Sequence, residues 1–190
     1  MKQEISRKAL HIIFGIFFLL LIYFLGTRTS FDIILTLFII GLIIALSIRN
    51  GIKIPSIDKI LSHVEREHEK HFPGKAALLF FLAAIILLYF FKNEPFIVLV
   101  ALSLQIFSDS IAALVGKRFG KHILLKRGHY KKTVEGTLTC LIVSLLITLY
   151  FLNPLNAVII AIIATIVELL PVNDNVAMPL VVAIALKLLL

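Results

Sequence analysis

Seven long apolar runs decide what this chain can be. They cover about 9–26, 31–48, 74–91, 95–115, 135–152, 154–170 and 175–190, and each holds at most one Asp, Glu, Lys or Arg. A surface helix of a soluble protein needs a polar face; a segment bathed in lipid does not. A full crossing takes roughly 20 residues, so the shorter runs allow tilted, interfacial or re-entrant segments too. Composition agrees, with 60% hydrophobic residues, 16% charged and a mean hydropathy of +1.05. Soluble domains sit at about half apolar and a quarter charged. Disorder, a fibrous repeat and a soluble globule are excluded. The expectation is an all-α, polytopic integral membrane helical bundle of about seven transmembrane segments, one domain over residues 1–190. The basic N-terminus followed by an apolar run imitates a secretory signal. No small-residue cleavage site comes after it, so the first run is expected as a retained helix.

Sidedness comes from the cations. Sixteen of the nineteen Lys and Arg fall at the N-terminus (Lys2, Arg7, Lys8), in 49–75 and in 116–134. With seven crossings these three regions share one side, and only Arg28, Lys92 and Lys187 lie on the other. The positive-inside rule then puts the N-terminus in the cytoplasm, in a cell membrane or an ER-type membrane. The formal charge of +8 is read as topology and contact with anionic lipid, not with nucleic acid. Trp is absent, as is any aromatic-rich basic tract. Cys140 is the only cysteine, which removes an internal disulfide or a Cys-based zinc site. In the polar stretch 49–73, Ile57, Ile60, Leu61 and Val64 repeat at helical spacing, the pattern of a helix lying on the membrane surface. His63, Glu67 and His71 share another face there, read as solvated.

Ionisable groups inside spans are costly and mark function by default. Here they are few. His11 lies early in the first span, Asp109 near the end of the fourth between Ser108 and Ser110, Glu135 at the start of the fifth, and Glu168 near the end of the sixth. Asp174 and Asn175 form the turn before the seventh. On the expected topology all of them approach the cytoplasmic boundary, with Asp109 about 10 Å from it. A transporter more often places such groups at the midplane.

The stretch between Asp109 and Glu135 carries seven cations and no acid. Transfer of a phosphoryl group from a nucleoside triphosphate requires the phosphate charge to be held and neutralised. Lys and Arg supply that charge, and glycines admit backbone N–H groups to phosphate oxygens. Asp109, Glu135 and Asp174 are the candidates for holding Mg2+, which prefers few carboxylates completed by phosphate and water. The spacing from Gly116 to Gly120 and Lys121 is not that of a Walker A loop, and His122 stands where Ser or Thr would be.

Three stretches carry a family resemblance: DSIAALVGKRFGK from Asp109 to Lys121, KKTVEGT from Lys131 to Thr137, and ELLPVNDNVAMP from Glu168 to Pro179. Together with the opening Glu4-x-x-Arg7-Lys8-x-x-His11 they resemble the polyprenol kinase family, which includes dolichol kinases, phytol and farnesol kinases and the CTP-dependent diacylglycerol kinase of yeast. The resemblance implies an integral membrane enzyme that uses CTP and a divalent metal to phosphorylate a lipid alcohol. It carries over to Asp109, Gly116, Gly120, Lys131, Lys132, Glu135, Gly136, Glu168, Asp174 and Asn175, and to Arg7, Lys8 and His11. Within it, Asp109, Asp174 and Glu168 are the catalytic candidates. Lys131 and Lys132 would stabilise the transferred charge, Arg118 would clamp a phosphate, and Lys121 and Thr133 complete the nucleotide-binding set. Two alternatives stand beside it. One is a CTP-dependent cytidylyltransferase of the CDP-diacylglycerol type, which shares the aspartate and the K-K-T-x-E-G-like run but closes with a different C-terminal signature. The other is a membrane transporter or lipid-binding protein without catalysis.

Overall fold

The structure, a computed structural model, describes residues 2–65, 72–127 and 130–190. Helix α1 (Lys2–Arg49) carries the first two apolar runs. As a straight rod it would be about 70 Å long. Instead Gly26 adopts φ 74° and ψ 175°, a backbone that a residue with a Cβ resists, and the rod folds there. The Gln3 amide donates to the carbonyl of Glu65, and the Arg49 guanidinium sits 5.7 Å from the Phe72 ring. Thr27, next to the break, donates to the carbonyl of Lys92. Both tips of α1 therefore meet the same connector, and the bend lies at the far end of the bundle.

Helix α2 (Pro55–Val64) begins on a proline, and Asp58 accepts the Ile54 N–H at 3.0 Å. None of its residues is buried, as expected of an interfacial amphipathic helix. His63 is exposed, with Nδ1 2.7 Å from the Lys59 carbonyl. Glu67 and His71 lie outside the described residues.

Helix α3 (Lys75–Phe90) is next, then a rod made of α4 (Pro95–Ser103), a π-helical turn over Leu104–Ser108, and α5 (Asp109–Phe119). Strands β1 (Ile123–Arg127) and β2 (Tyr130–Thr133) pair antiparallel, Lys126 opposite Lys131 and Leu125 opposite Lys132. The basic segment 116–134 is therefore not a plain loop: its first residues finish α5 and the rest is a hairpin. Hairpin register decides which lysines point inward, and no helical periodicity announces it. The chain closes with α6 (Val134–Phe151), α7 (Pro154–Leu169) and α8 (Asp174–Leu189). Helix α6 packs between α5 and α7, and α8 packs on α7, α3 and α4.

Among the described residues, three helices are long and apolar enough to cross a bilayer, Gln3–Arg49, Pro95–Phe119 and Val134–Phe151, with Lys75–Phe90 and Pro154–Leu169 as shorter apolar helices. The fold is thus an all-α membrane bundle that carries a small hairpin. Its interior mixes large side chains (Phe18, Phe80, Leu87, Met178) with small ones (Ala84, Ala101, Ala161, Ala164). Its outer surface is apolar as well: Tyr23, Phe24, Tyr150 and Leu188 are each more than two-thirds exposed. In lipid, burial of apolar surface no longer drives helices together, so close packing through small residues takes over. Gly15 shows this, since a Cβ there would sit 2.5 Å from Ile106 Cγ1. Cys140 is buried in this packing. Ser108 and Ser110 are buried too, and their hydroxyls find no hydrogen-bond partner among the described residues. The π turn ending at Ser108 removes the regular i−4 carbonyl that such serines ordinarily use.

Candidate active site

Asp109 opens α5 directly after the π turn. A π turn adds one residue per turn and so rotates the residues C-terminal to it; such bulges recur at functional sites. Here Asp109 ends 1% exposed, bonded to Lys8 of α1, itself 3% exposed. This buried ion pair joins residues 101 positions apart. Its neighbour is a second polar knot. Lys132 of β2 bonds Glu168 at the end of α7 and lies 3.9 Å from Asp174 Oδ2 at the start of α8. Burial alone would lower the lysine's pKa; the carboxylates of Glu168, Asp174 and Asp109 outweigh it and hold it above the ordinary value. Lys132 is therefore a cation at neutral pH.

Both knots face one cavity of about 750 Å³. Its wall takes Arg7 and Lys8 from α1, Asp109 and Gly116 from α5, Lys131, Lys132 and Thr133 from β2, Glu168 from α7, and Asp174 and Asn175 from α8; Gly120 and Gly136 line it too. That volume lies within the range of small-molecule sites, about 300–1,000 Å³.

Four expected residues stand elsewhere. Arg118 is exposed at the end of α5 with its guanidinium 5.3 Å from the Phe119 ring, and Lys121 is exposed in the connector to β1; neither lines the cavity. Glu135 is absent from the cavity wall as well. It clasps the base of the hairpin, accepting the backbone N–H of Lys121 at 3.0 Å and of His122 at 3.2 Å, with His122 Nδ1 2.9 Å away. An acid in the first turn of a helix suits that position electrostatically, and the preceding residues supply donors. His11 lies behind the wall, its ring 4.6 Å from that of Phe80. His129 lies outside the described residues.

Two residues at the site are not ones that the sequence singles out for a role there. Gln105, within the π turn, is fully buried; its Nε2 is 3.1 Å from His11 Nε2 and donates to Asn175 Oδ1 at 3.2 Å. It is neutral, so a search for intramembrane charge passes it over; a lone amide in an apolar run was the available signal. Glu4 is 4% exposed and binds Arg7 and Lys117, the latter at 3.2 Å. Its place three residues before Arg7 was the signal for that pair.

The glycines have a packing role. A Cβ on Gly116 would meet Thr133 Oγ1 at 3.0 Å and Gly136 Cα at 3.3 Å, so α5 and α6 touch backbone to backbone. Thr133 caps α6, its hydroxyl accepting the Gly136 N–H at 3.2 Å. At Gly120 a Cβ would lie 2.1 Å from the Gly116 carbonyl oxygen and 2.6 Å from Thr133 Cγ2. Gly120→Ala is expected to destabilise by about 1–3 kcal/mol, the cost of overpacking a tight contact. Thermal unfolding in detergent checks this, with Gly41→Ala, whose nearest neighbour would be 3.6 Å away, as the unaffected comparison.

Among the described residues, no three His, Cys, Asp or Glu side chains converge into a metal cage. The expected trio of Asp109, Glu135 and Asp174 is not assembled, because Glu135 caps the hairpin. Of that trio Asp109 and Asp174 stay at the cavity; one or two carboxylates is the number Mg2+ takes when phosphate and water complete its shell.

Known proteins are similar to this chain. The family model described as "Cytidylyltransferase family" matches residues 1–187. Phytol kinase 1, chloroplastic, of Arabidopsis thaliana is 25% identical over 205 residues, covering 97% of this chain and 66% of that protein. The probable phytol kinase 1, chloroplastic, of Glycine max is 25% identical over 199 residues, covering 95% of this chain and 65% of that protein. The chain thus spans just under two-thirds of the length of these relatives. An uncharacterized protein of Methanocaldococcus jannaschii is 28% identical over 187 residues, covering 95% of this chain and 91% of its own length. No solved structure matches the chain.

Proposed function

This chain belongs to the cytidylyltransferase family, and from that premise we propose that it is a membrane kinase moving the γ-phosphoryl group of CTP to the hydroxyl of a lipid alcohol. The observation that carries the reading is the single cavity where Asp109, Glu168 and Asp174 meet Arg7, Lys8, Lys131 and Lys132. Cations in that number suit a polyphosphate rather than a neutral solute. The names of the relatives supply the acceptor class: they are phytol kinases, and phytol is a lipid alcohol.

Phosphoryl transfer asks the protein mainly for positioning and charge compensation. Lys131 and Lys132 offset charge on the transferring group, and the backbone around Gly116 and Gly136 lets phosphate oxygens come close. Asp109 would hold a divalent cation together with the nucleotide phosphates; such an ion supplies further charge neutralisation. Asp174 is the most open of the three acids, with its side chain 35% exposed, and we assign it to accept the proton of the acceptor hydroxyl. Glu168, held by Lys132, fixes that lysine in place. The excess of cations on this side of the chain is the ground for placing the cavity toward the cytoplasm.

The family's description favours one second reading, cytidylyl transfer to a lipid phosphate. Purified protein in detergent separates the two. We expect a lipid alcohol to acquire label from γ-labelled CTP, and a lipid phosphate offered beside it to acquire none from α-labelled CTP. Label from the α position in the lipid product would establish the second reading in place of the first.

A further inference from the structure

Beside the polar cavity lies a second, smaller pocket of about 180 Å³. It is enclosed by α1 (Leu10, His11, Phe14), the apolar face of α2 (Ile60, Leu61, Val64) and the start of α3 (Ala77, Phe80, Phe81). Its character is the reverse of its neighbour's, almost wholly apolar. The two are adjacent: Arg7, Lys75, Ala76 and Asn175 line both. A soluble nucleotide has no use for such a slot, whereas a molecule with a hydroxyl head and a hydrocarbon tail needs both compartments at once.

We propose that this slot binds the head-proximal tail of the acceptor, with the hydroxyl at the Arg7–Asn175 junction, and that it admits one hydrocarbon chain, not two. The inference rests on the kinase reading and adds to it a tail site and a substrate class. Three observations carry it. First, the junction is hydrogen-bonded across the bundle. Asn175 is 6% exposed, accepts from Gln105 and donates to the Ala76 carbonyl at 3.5 Å, while Gln105 reaches His11, so the slot wall and the cavity wall form one hydrogen-bonded unit. Second, the slot is smaller than the 300–1,000 Å³ usual for drug-sized ligands, so it takes only the first part of a chain and leaves the rest to the bilayer. A glycerolipid, whose two chains diverge next to its hydroxyl, would have to lodge the start of both in that volume. Third, the roof is an amphipathic helix with no buried residue, so a chain can enter from the membrane surface beneath α2.

The test combines kinetics with a binding readout. Leu61→Trp narrows the slot from α2 and Ala77→Leu from α3; Leu146→Trp, on the exposed face of α6, is the comparison. Wild type is expected to phosphorylate phytol and geranylgeraniol but not diacylglycerol. Each slot variant should raise KM for the long alcohols about tenfold, equivalent to about 1.4 kcal/mol of lost binding. KM for CTP should stay unchanged. A KM for CTP that rises as much as that for the long alcohols, an unchanged KM for the long alcohols, or diacylglycerol as good an acceptor as phytol would overturn the proposal. A single-chain alcohol carrying a diazirine near its hydroxyl is crosslinked in parallel and mapped. Absence of any phosphorylated alcohol with labelling inside the slot would sink the kinase reading and leave the tail site standing. Labelling confined to the outer faces of α6 and α7 would sink the tail site.

Discussion

Lys132→Ala is expected to lower kcat by a factor of about 10²–10³, the usual cost of deleting one preorganised group facing developing charge. The argument is local. This lysine bridges Glu168 and Asp174, through one close contact and one of 3.9 Å. Without it, Glu168 at 4% side-chain exposure and Asp109 at 2% stay near Asp174 with less compensation. Incoming phosphates would then meet a wall more negative than before, so KM for CTP should rise along with the fall in kcat. Lys132→Arg is not expected to rescue the enzyme, because a planar guanidinium cannot reproduce a point charge shared between two carboxylates. The pH dependence has a definite sign. The folded-state pKa of Lys132 lies above the ordinary 10.5, so its contribution is complete below 10.5 and is lost only as pH rises through the elevated value. Between about pH 6 and 9 this lysine should add no limb to the rate profile. A limb in that window that disappears in Lys132→Ala would contradict the assignment, as would a variant with wild-type kcat.

How far the site could be read from sequence depends on the residue. Asp109 and Glu168 were legible because an acid in an apolar run has to be compensated, and compensation draws such groups together; Asp174 was legible from its turn at the same boundary. The partner was not legible. Lys8 lies 101 residues from Asp109, and no local period links them. The π turn that rotates Asp109 inward is equally silent, since five residues of changed pitch leave no trace in a pattern of continuous apolarity. Glu135 shows the opposite failure. Close in sequence to Lys131, Lys132 and Thr133, it invited a place among the metal ligands. Yet the backbone passes from strand to helix at Val134, and the next side chain swings to the outer side of the hairpin, where two backbone N–H groups meet it. The fold was easier. The apolar runs foretold the helices, and Gly26 marks the fold of α1 at the boundary between the first two. The hairpin was missed because Lys and Arg make up four of its nine strand residues, and lysine is a weak strand former.

The Lys8–Asp109 pair should separate stability from activity. Removing one member of a buried ion pair leaves the other uncompensated and costs about 3–5 kcal/mol, while removing both can be nearly neutral. Lys8→Met and Asp109→Asn are therefore each expected to lower the thermal midpoint in detergent. The double variant should recover much of that loss, giving a coupling energy above about 1 kcal/mol in a double-mutant cycle. Activity should behave otherwise. If Asp109 faces the nucleotide as proposed, Asp109→Asn loses turnover by orders of magnitude, and adding Lys8→Met restores the fold without restoring the rate. Two results would break this account. Strictly additive midpoints would mean the pair does not hold α1 to α5. A stable double variant with near-normal phosphoryl transfer would mean that Asp109 serves the packing of the bundle and that the reaction is run by Asp174, Glu168 and Lys132 alone.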